Sequence, residues 1–440
     1  MLDKAKAEAV KESIRTAFAE LEKRFIHKTT GLLLNYDTGG SPEALPTPQE
    51  VYSGKPSHMS WNTPVEDGSY FSGLFLCALS DSRITQIIPE AKSAAVRIAK
   101  GLISLSENDG VEGFVARNYI GNEKAHYKCG SEDQTYPWFC GLYHFYKSYI
   151  PAENLKKCCL DTLIRVSEAL HSYSYKIPCS TPEFGYRGNF SAGGINNIAK
   201  LLFVQLAMYD ITGDQKWRNR YLESLKEIPA GKPESRFEII KNGVGYPEYD
   251  GKSVFYCIES GEGAENIFSG KTSITSFPFF TMVMASIAMR DICEIETDPN
   301  IAKPIENALQ RDALRCITHI SRGFQYSPSR APSFSTNWRV MNSVWRKQEN
   351  NAEAFELAWS QMLLWFKECP CFPYENALVR EPLFAAYASL LTNVCPDKEY
   401  ISRVCDLLLH YNWSKLKTST FYVAFLVLRQ LCYLSDIFKK

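Results

Sequence analysis

The residues best suited to chemistry fall in two acidic segments, each at the entrance to an expected helix. The first holds His58, Trp61, Asn62, Thr63, Pro64, Glu66, Asp67, Gly68 and Tyr70; the second runs Glu132, Asp133, Gln134, Thr135, Tyr136, Pro137 and Trp138. Carboxylates bind sugar hydroxyls or transfer protons, and an aromatic ring supports the apolar face of a sugar. Both segments therefore carry the residue types of carbohydrate chemistry. The same acids also suit a structural role, capping the orphan amides of a first helical turn, with Trp61 packed beneath its loop. Glu66 and Asp67 repel when both face one pocket, which raises at least one pKa, whereas a helix N-terminus favours the anion. If Asp67 and Asp133 share a concavity, their separation decides the reaction. About 5 Å suits a covalent, retaining hydrolase, and roughly 6.5–9.5 Å leaves room for an attacking water.

Other segments offer binding groups. Tyr186 and Arg187 lie in a Gly, Pro and aromatic-rich stretch, where a guanidinium can hold a uronate through paired charge-assisted hydrogen bonds or simply make an interhelical ion pair. Tyr246 and Glu248, with further glutamates at 259, 262 and 265, are set among glycines. They suit the rim of a sugar cleft or a solvated loop, and the glycine spacing matches neither a dinucleotide fingerprint nor a Walker A loop. Trp338 can form a stacking platform or fill a core, and His58 and His126 each precede an acidic helix entrance. The histidines form no HExxH motif and local Cys/His spacing suits no zinc site, so neither metal nor cofactor is expected, although distant residues can still assemble a site. No Gly-x-Ser-x-Gly elbow or cysteine-protease signature occurs.

The elements that must position these groups read as helices. Val10, Ile14, Phe18, Leu21 and Phe25 recur along one helical face. Further helices are expected near 67–80, 85–105, 134–149, 153–173, 194–210, 214–227, 274–291, 299–318, 350–367, 378–391, 398–410 and 418–435, with short β-hairpins around 111–120, 236–259 and 322–341. Long valine and isoleucine runs of a parallel sheet are missing. Short helical hairpins alternate with Gly/Pro/aromatic connectors, and no long polar linker divides the 440 residues. The expectation is all-α: one domain, 1–440, built as a closed double layer of helices.

Charge is balanced at 49 basic and 49 acidic residues, which gives no general drive toward nucleic acid, and 45% of the residues are hydrophobic, too many for a disordered chain. No apolar run is long enough to insert in a membrane and no signal peptide opens the chain. Fourteen cysteines without framework spacing read as buried thiols, which leans toward a reducing compartment; a cytoplasmic or periplasmic location is expected.

This organisation resembles the six-hairpin, or (α/α)6-barrel, glycosidases, and the two acidic segments resemble those of the unsaturated glucuronyl hydrolases. The resemblance covers roughly residues 10–435 in helix order. It implies an (α/α)6 toroid with short β-hairpin insertions and an oligosaccharide substrate, with uronic acid a candidate component. By residue order it implies that Asp133 does acid/base work while Asp67 tunes its pKa and binds hydroxyls. His58, Trp61, Glu66, Glu132, Trp138, Arg187, Tyr186, Tyr246, Glu248 and Trp338 are the expected substrate contacts. Polysaccharide lyases, sugar epimerases and noncatalytic glycan-binding proteins remain as alternatives, since one helical architecture serves several functions.

Overall fold

The computed structural model describes residues 3–108, 110–247, 279–392, 394 and 396–438. Among these the chain is almost entirely α-helical. Two kinds of helix recur. Amphipathic helices bury one stripe: in Lys4–Arg24 the buried set includes Val10, Ile14, Phe18 and Leu21, and Asp3 caps the helix by accepting from the Lys6 amide at 2.8 Å. Ala91–Ser104, Glu153–Ser172, Gln215–Lys226, Pro299–Cys316 and Lys398–His410 follow the same pattern. The other kind is buried nearly all round. Every residue of Gly68–Leu79 and of Glu381–Leu390 is buried, and Glu132–Lys147, Ile195–Thr212, Phe279–Ile295 and Val423–Leu434 bury most of theirs.

The buried helices pack on one another in succession. Gly68–Leu79 lies against Glu132–Lys147, which touches Ile195–Thr212; Ile195–Thr212 packs on Phe279–Ile295, Phe279–Ile295 on Glu381–Leu390, and Glu381–Leu390 on Val423–Leu434. Val423–Leu434 in turn meets Gly68–Leu79. The tightest crossing joins Gly68–Leu79 and Glu132–Lys147. A methyl group on Gly73 would stand 2.1 Å from the Pro137 carbonyl oxygen, and one on Gly141 would stand 2.4 Å from the Gly73 oxygen. The backbones meet because neither glycine has a side chain.

Several boundaries differ from expectation for local reasons. The helix expected over 85–105 is two, Ser82–Ile87 and Ala91–Ser104, because Pro89 keeps the preceding Ile88 out of helical geometry (φ −128°, ψ 88°). Asp133 lies inside the first turn of Glu132–Lys147 rather than ahead of it. The described hairpin is elsewhere: Lys176–Pro178 pairs antiparallel with Tyr186–Asn189, and positive-φ Gly185 (63°) precedes the second strand. Around 111–120 there is only an isolated bridge from Ile120 to Ala125. The 322–341 region holds 3-10 turns, Ile317–Gln325 and Trp338–Val344, which Pro328, Pro332 and short polar residues favour over a ladder. In the 236–259 region, Arg236–Ile240 is a single helical turn, and 248–259 lies outside the described residues. Among the described residues no helix is long and apolar enough to cross a membrane.

Gly73→Ala is expected to destabilise the fold by roughly 3 kcal/mol, the upper end of overpacking costs, because backbone rather than a movable side chain blocks the added methyl. Denaturant unfolding of the variant measures this, and a change under about 0.5 kcal/mol, the range of neutral surface substitutions, would refute the tight crossing.

Candidate active site

Asp67 occupies the N-cap position of Gly68–Leu79, yet its side chain makes no capping bond. Instead one oxygen, Oδ2, accepts from Asn35 Nδ2 at 2.8 Å and the other, Oδ1, accepts from Gln134 Nε2 at 2.6 Å. The Asn35 side chain also accepts from the Asp67 amide at 2.8 Å, and Gln134 Oε1 accepts from Ser69 Oγ at 2.7 Å and the Tyr70 amide at 3.1 Å. Gln134 thus ties the two acidic helix entrances together, and it is the immediate neighbour of Asp133. Behind Asp67, the buried Arg117 guanidinium reaches to 3.9 Å from its carboxylate.

Asp133 faces a cleft of about 520 Å³ whose wall includes Glu132, Arg187, Lys200, Asn351 and Phe355. That volume falls within the usual range for small-molecule sites. The Oδ1 atom of Asp133 is buried and has no hydrogen-bond partner among the described residues. Such an atom costs free energy unless a ligand or solvent pairs with it. Glu132 beside it is engaged, accepting from Asn197 Nδ2 at 2.6 Å and from the Asn189 amide at 3.3 Å. Gly188 (φ 97°) lets the strand approach closely, since a methyl there would touch the Glu132 side chain at 3.0 Å.

Cations frame the cleft. Arg187 lies 6.0 Å from the Trp61 ring and 5.8 Å from the Phe355 ring, and these two rings meet edge to face at 5.5 Å. Burial, with Arg117 adding, lowers the Arg187 pKa. Lys200 projects from an apolar helix with its side chain 1% exposed and its ammonium 3.8 Å from Glu132 Oε1. Burial lowers its pKa, against the pull of Glu132 and Asp133. On the acidic side, burial pushes Glu66 well above the ordinary carboxylate range, with the charges of Asp67 and Asp133 adding, while the Asn62 amide donates to it at 2.6 Å. Burial likewise raises Asp67; Asp133 adds, and Arg117, Asn35 and Gln134 oppose. The three acids therefore sense one another's charge.

The remaining expected contacts divide sharply. Trp61 stands beside the cleft through Phe355 and Arg187. Trp138 is instead wholly buried with its indole donating to the Leu102 carbonyl at 2.6 Å, and Trp338 is wholly buried with its indole donating to the Ala44 carbonyl at 2.9 Å. Both rings complete interior packing. Tyr246 is interior too, its hydroxyl 2.9 Å from Ser286 Oγ and its ring stacked on Phe279. His58 is buried edge-on to Phe184, and burial with Lys128 holds its pKa down at about 3, so the imidazole is neutral. Tyr186 is exposed against Tyr173. Glu248 lies outside the described residues.

Asn35, Arg117, Lys200, Asn351 and Phe355 were not anticipated from sequence. Lys200 had a signal, a lone cation in the apolar run Ile198-Ala199-Lys200-Leu201-Leu202-Phe203. The others depend on tertiary proximity. Of possible metal ligands, Cys77, Cys140 and His144 converge at the far end of the same helix pair. No family model, curated protein or solved structure matches the chain.

Glu66 keeps in the fold a proton that the unfolded chain releases near 4.5. The associated stability is complete below that pH and is lost as pH rises through the elevated folded-state value. Glu66→Gln, which keeps an oxygen for the Asn62 amide, is expected to flatten the decline of melting temperature with rising pH. An unchanged decline in the variant would contradict the proton on Glu66.

Proposed function

We propose that this chain is a glycoside hydrolase acting on an oligosaccharide, with uronic-acid-containing chains the favoured class, and that its buried helices close into an (α/α)6 toroid. The return of Val423–Leu434 to Gly68–Leu79 supports the closure. The reading of the site rests chiefly on one observation: the buried, unpartnered Oδ1 of Asp133 in a cleft bordered by cations and aromatic rings.

In this reading Asp133 protonates the leaving glycosidic oxygen as its bond to the anomeric carbon breaks, and a water adds to that carbon while passing its proton to the acidic group. Burial raises the pKa values of Glu66 and Asp67 beside Asp133, so the acidic group carries less negative charge than free carboxylates would. Asp67 acts as a fixed partner, because Asn35 and Gln134 occupy both of its oxygens. It tunes the electrostatics without having to move. A sugar ring rests against Phe355, with Trp61 behind it, and Arg187 and Lys200 favour a carboxylate on that sugar.

Asp133→Asn is expected to lower kcat by about 10²–10⁴-fold, the usual contribution of a positioned proton donor, with KM changed only a few-fold. The assay is product analysis by mass spectrometry and NMR on saturated and unsaturated uronate-containing oligosaccharides, with folding checked by circular dichroism. A new reducing end together with a saturated new nonreducing end supports hydrolysis. An unsaturated new end, an inverted centre with intact linkages, or binding without turnover would replace this reading by a lyase, an epimerase or a binding protein respectively.

A further inference from the structure

We infer that Cys77, Cys140 and His144 bind a borderline-soft divalent metal ion of the zinc class, at the end of the inner helices remote from Asp133. Their potential ligand atoms all lie within 4.8 Å of one another. Cys77 Sγ and Cys140 Sγ are 3.4 Å apart. A tetrahedral zinc with Zn–S near 2.3 Å and Zn–N near 2.0 Å needs an S–S edge of roughly 3.8 Å and S–N edges of roughly 3.5 Å, so the sulfurs must part by about 0.4 Å and the imidazole nitrogen must close in by about 1.3 Å at most. Two sulfurs and an imidazole are the donor set that selects zinc over magnesium or calcium.

The fold builds this constellation deliberately into one place. Cys140 and His144 are one helical turn apart on the same face of Glu132–Lys147. Cys77 comes from Gly68–Leu79, brought alongside by the Gly73/Gly141 contact. Asp291, from Phe279–Ile295, approaches His144 Nε2 at 3.2 Å and Cys140 Sγ at 3.6 Å. A carboxylate that fixes a ligating histidine is the usual companion of such a site, and here it also offsets the charge of the ion. Asp291 is thus a positioning residue.

The site is reachable from solvent. Cys77 and His144 line a second cleft of about 290 Å³, together with Ser80, Asp81, Lys147 and Arg429. Arg429 is paired with Asp81 at 3.2 Å, which reduces its repulsion of a cation. Three protein ligands with the fourth position toward a cleft is the pattern of an open zinc site.

The test is titration of the reduced, metal-stripped full chain with cobalt(II). The expected result is a thiolate-to-cobalt charge-transfer band with the intense visible bands of tetrahedral cobalt, saturating at one ion per chain and displaced by zinc(II). Cys77→Ser and Cys140→Ser should each weaken binding by about tenfold or more, and Asp291→Asn by about 10–100-fold. Cys158→Ser, on the adjacent helix, should leave it unchanged. Lack of the charge-transfer band in the unmodified chain, a Cys77–Cys140 disulfide that survives reductant, or binding indifferent to both cysteine substitutions would overturn the site. The unmodified chain decides the first two outcomes, so a poorly folding variant cannot obscure them.

Discussion

The contact between Gly73 and Gly141 governs the arrangement of everything chemical in this molecule. Where two helices touch backbone to backbone, their ends are held in a fixed relation that longer side chains would blur. Upstream of the contact lie the two acidic entrances, so Asp67 and Asp133 share one electrostatic environment. Cys140, the residue before Gly141, and Cys77, one turn past Gly73, lie beside the contact, and their sulfurs come within 3.4 Å. One steric constraint thus sets the spacing of both groups. Pro137, whose carbonyl oxygen presses on Gly73, also lacks an amide proton, so it cannot donate to the Asp133 carbonyl in the ordinary helical pattern.

The acidic end is a negotiated balance of buried charge. Desolvation disfavours every ion there, raising Glu66 and Asp67 and lowering Arg187 and Lys200. Partial compensation comes from amides: Asn35 and Gln134 on Asp67, Asn62 on Glu66, and Asn197 on Glu132. Asp133 keeps one buried oxygen unmatched among the described residues, as do Ser131 Oγ and Asn196 Oδ1 in the same wall of the cleft. Burying such a group against the general rule of hydrogen-bond satisfaction is characteristic of a site waiting for a ligand.

Much of this was legible in the residues. Helical periodicity located nearly every long helix, because apolar stripes are local signals. The two acidic segments stood out by composition, and they do come together. What escaped was tertiary. Nothing in the chain says that Gln134 reaches Asp67, or that Trp138 and Trp338 turn inward to donate to Leu102 and Ala44. Hairpins were expected around 111–120 and 322–341, where none forms, because glycine and aromatic content marks a connector without fixing its pairing, whereas Lys176–Pro178 and Tyr186–Asn189 meet through a turn at Gly185. Cys140 and His144 lie one helical turn apart, yet local Cys/His spacing suggested no zinc site, because their partner Cys77 comes from another helix.

The most direct measurement is a crystal structure of Asp133→Asn with a cleavable oligosaccharide bound. The account predicts a sugar ring against Phe355, with its glycosidic oxygen within roughly 3.2 Å of the residue 133 side chain and nearer to it than to Asp67. A sugar bound with residue 133 out of hydrogen-bond reach, or an empty cleft with the sugar lodged elsewhere, would contradict it.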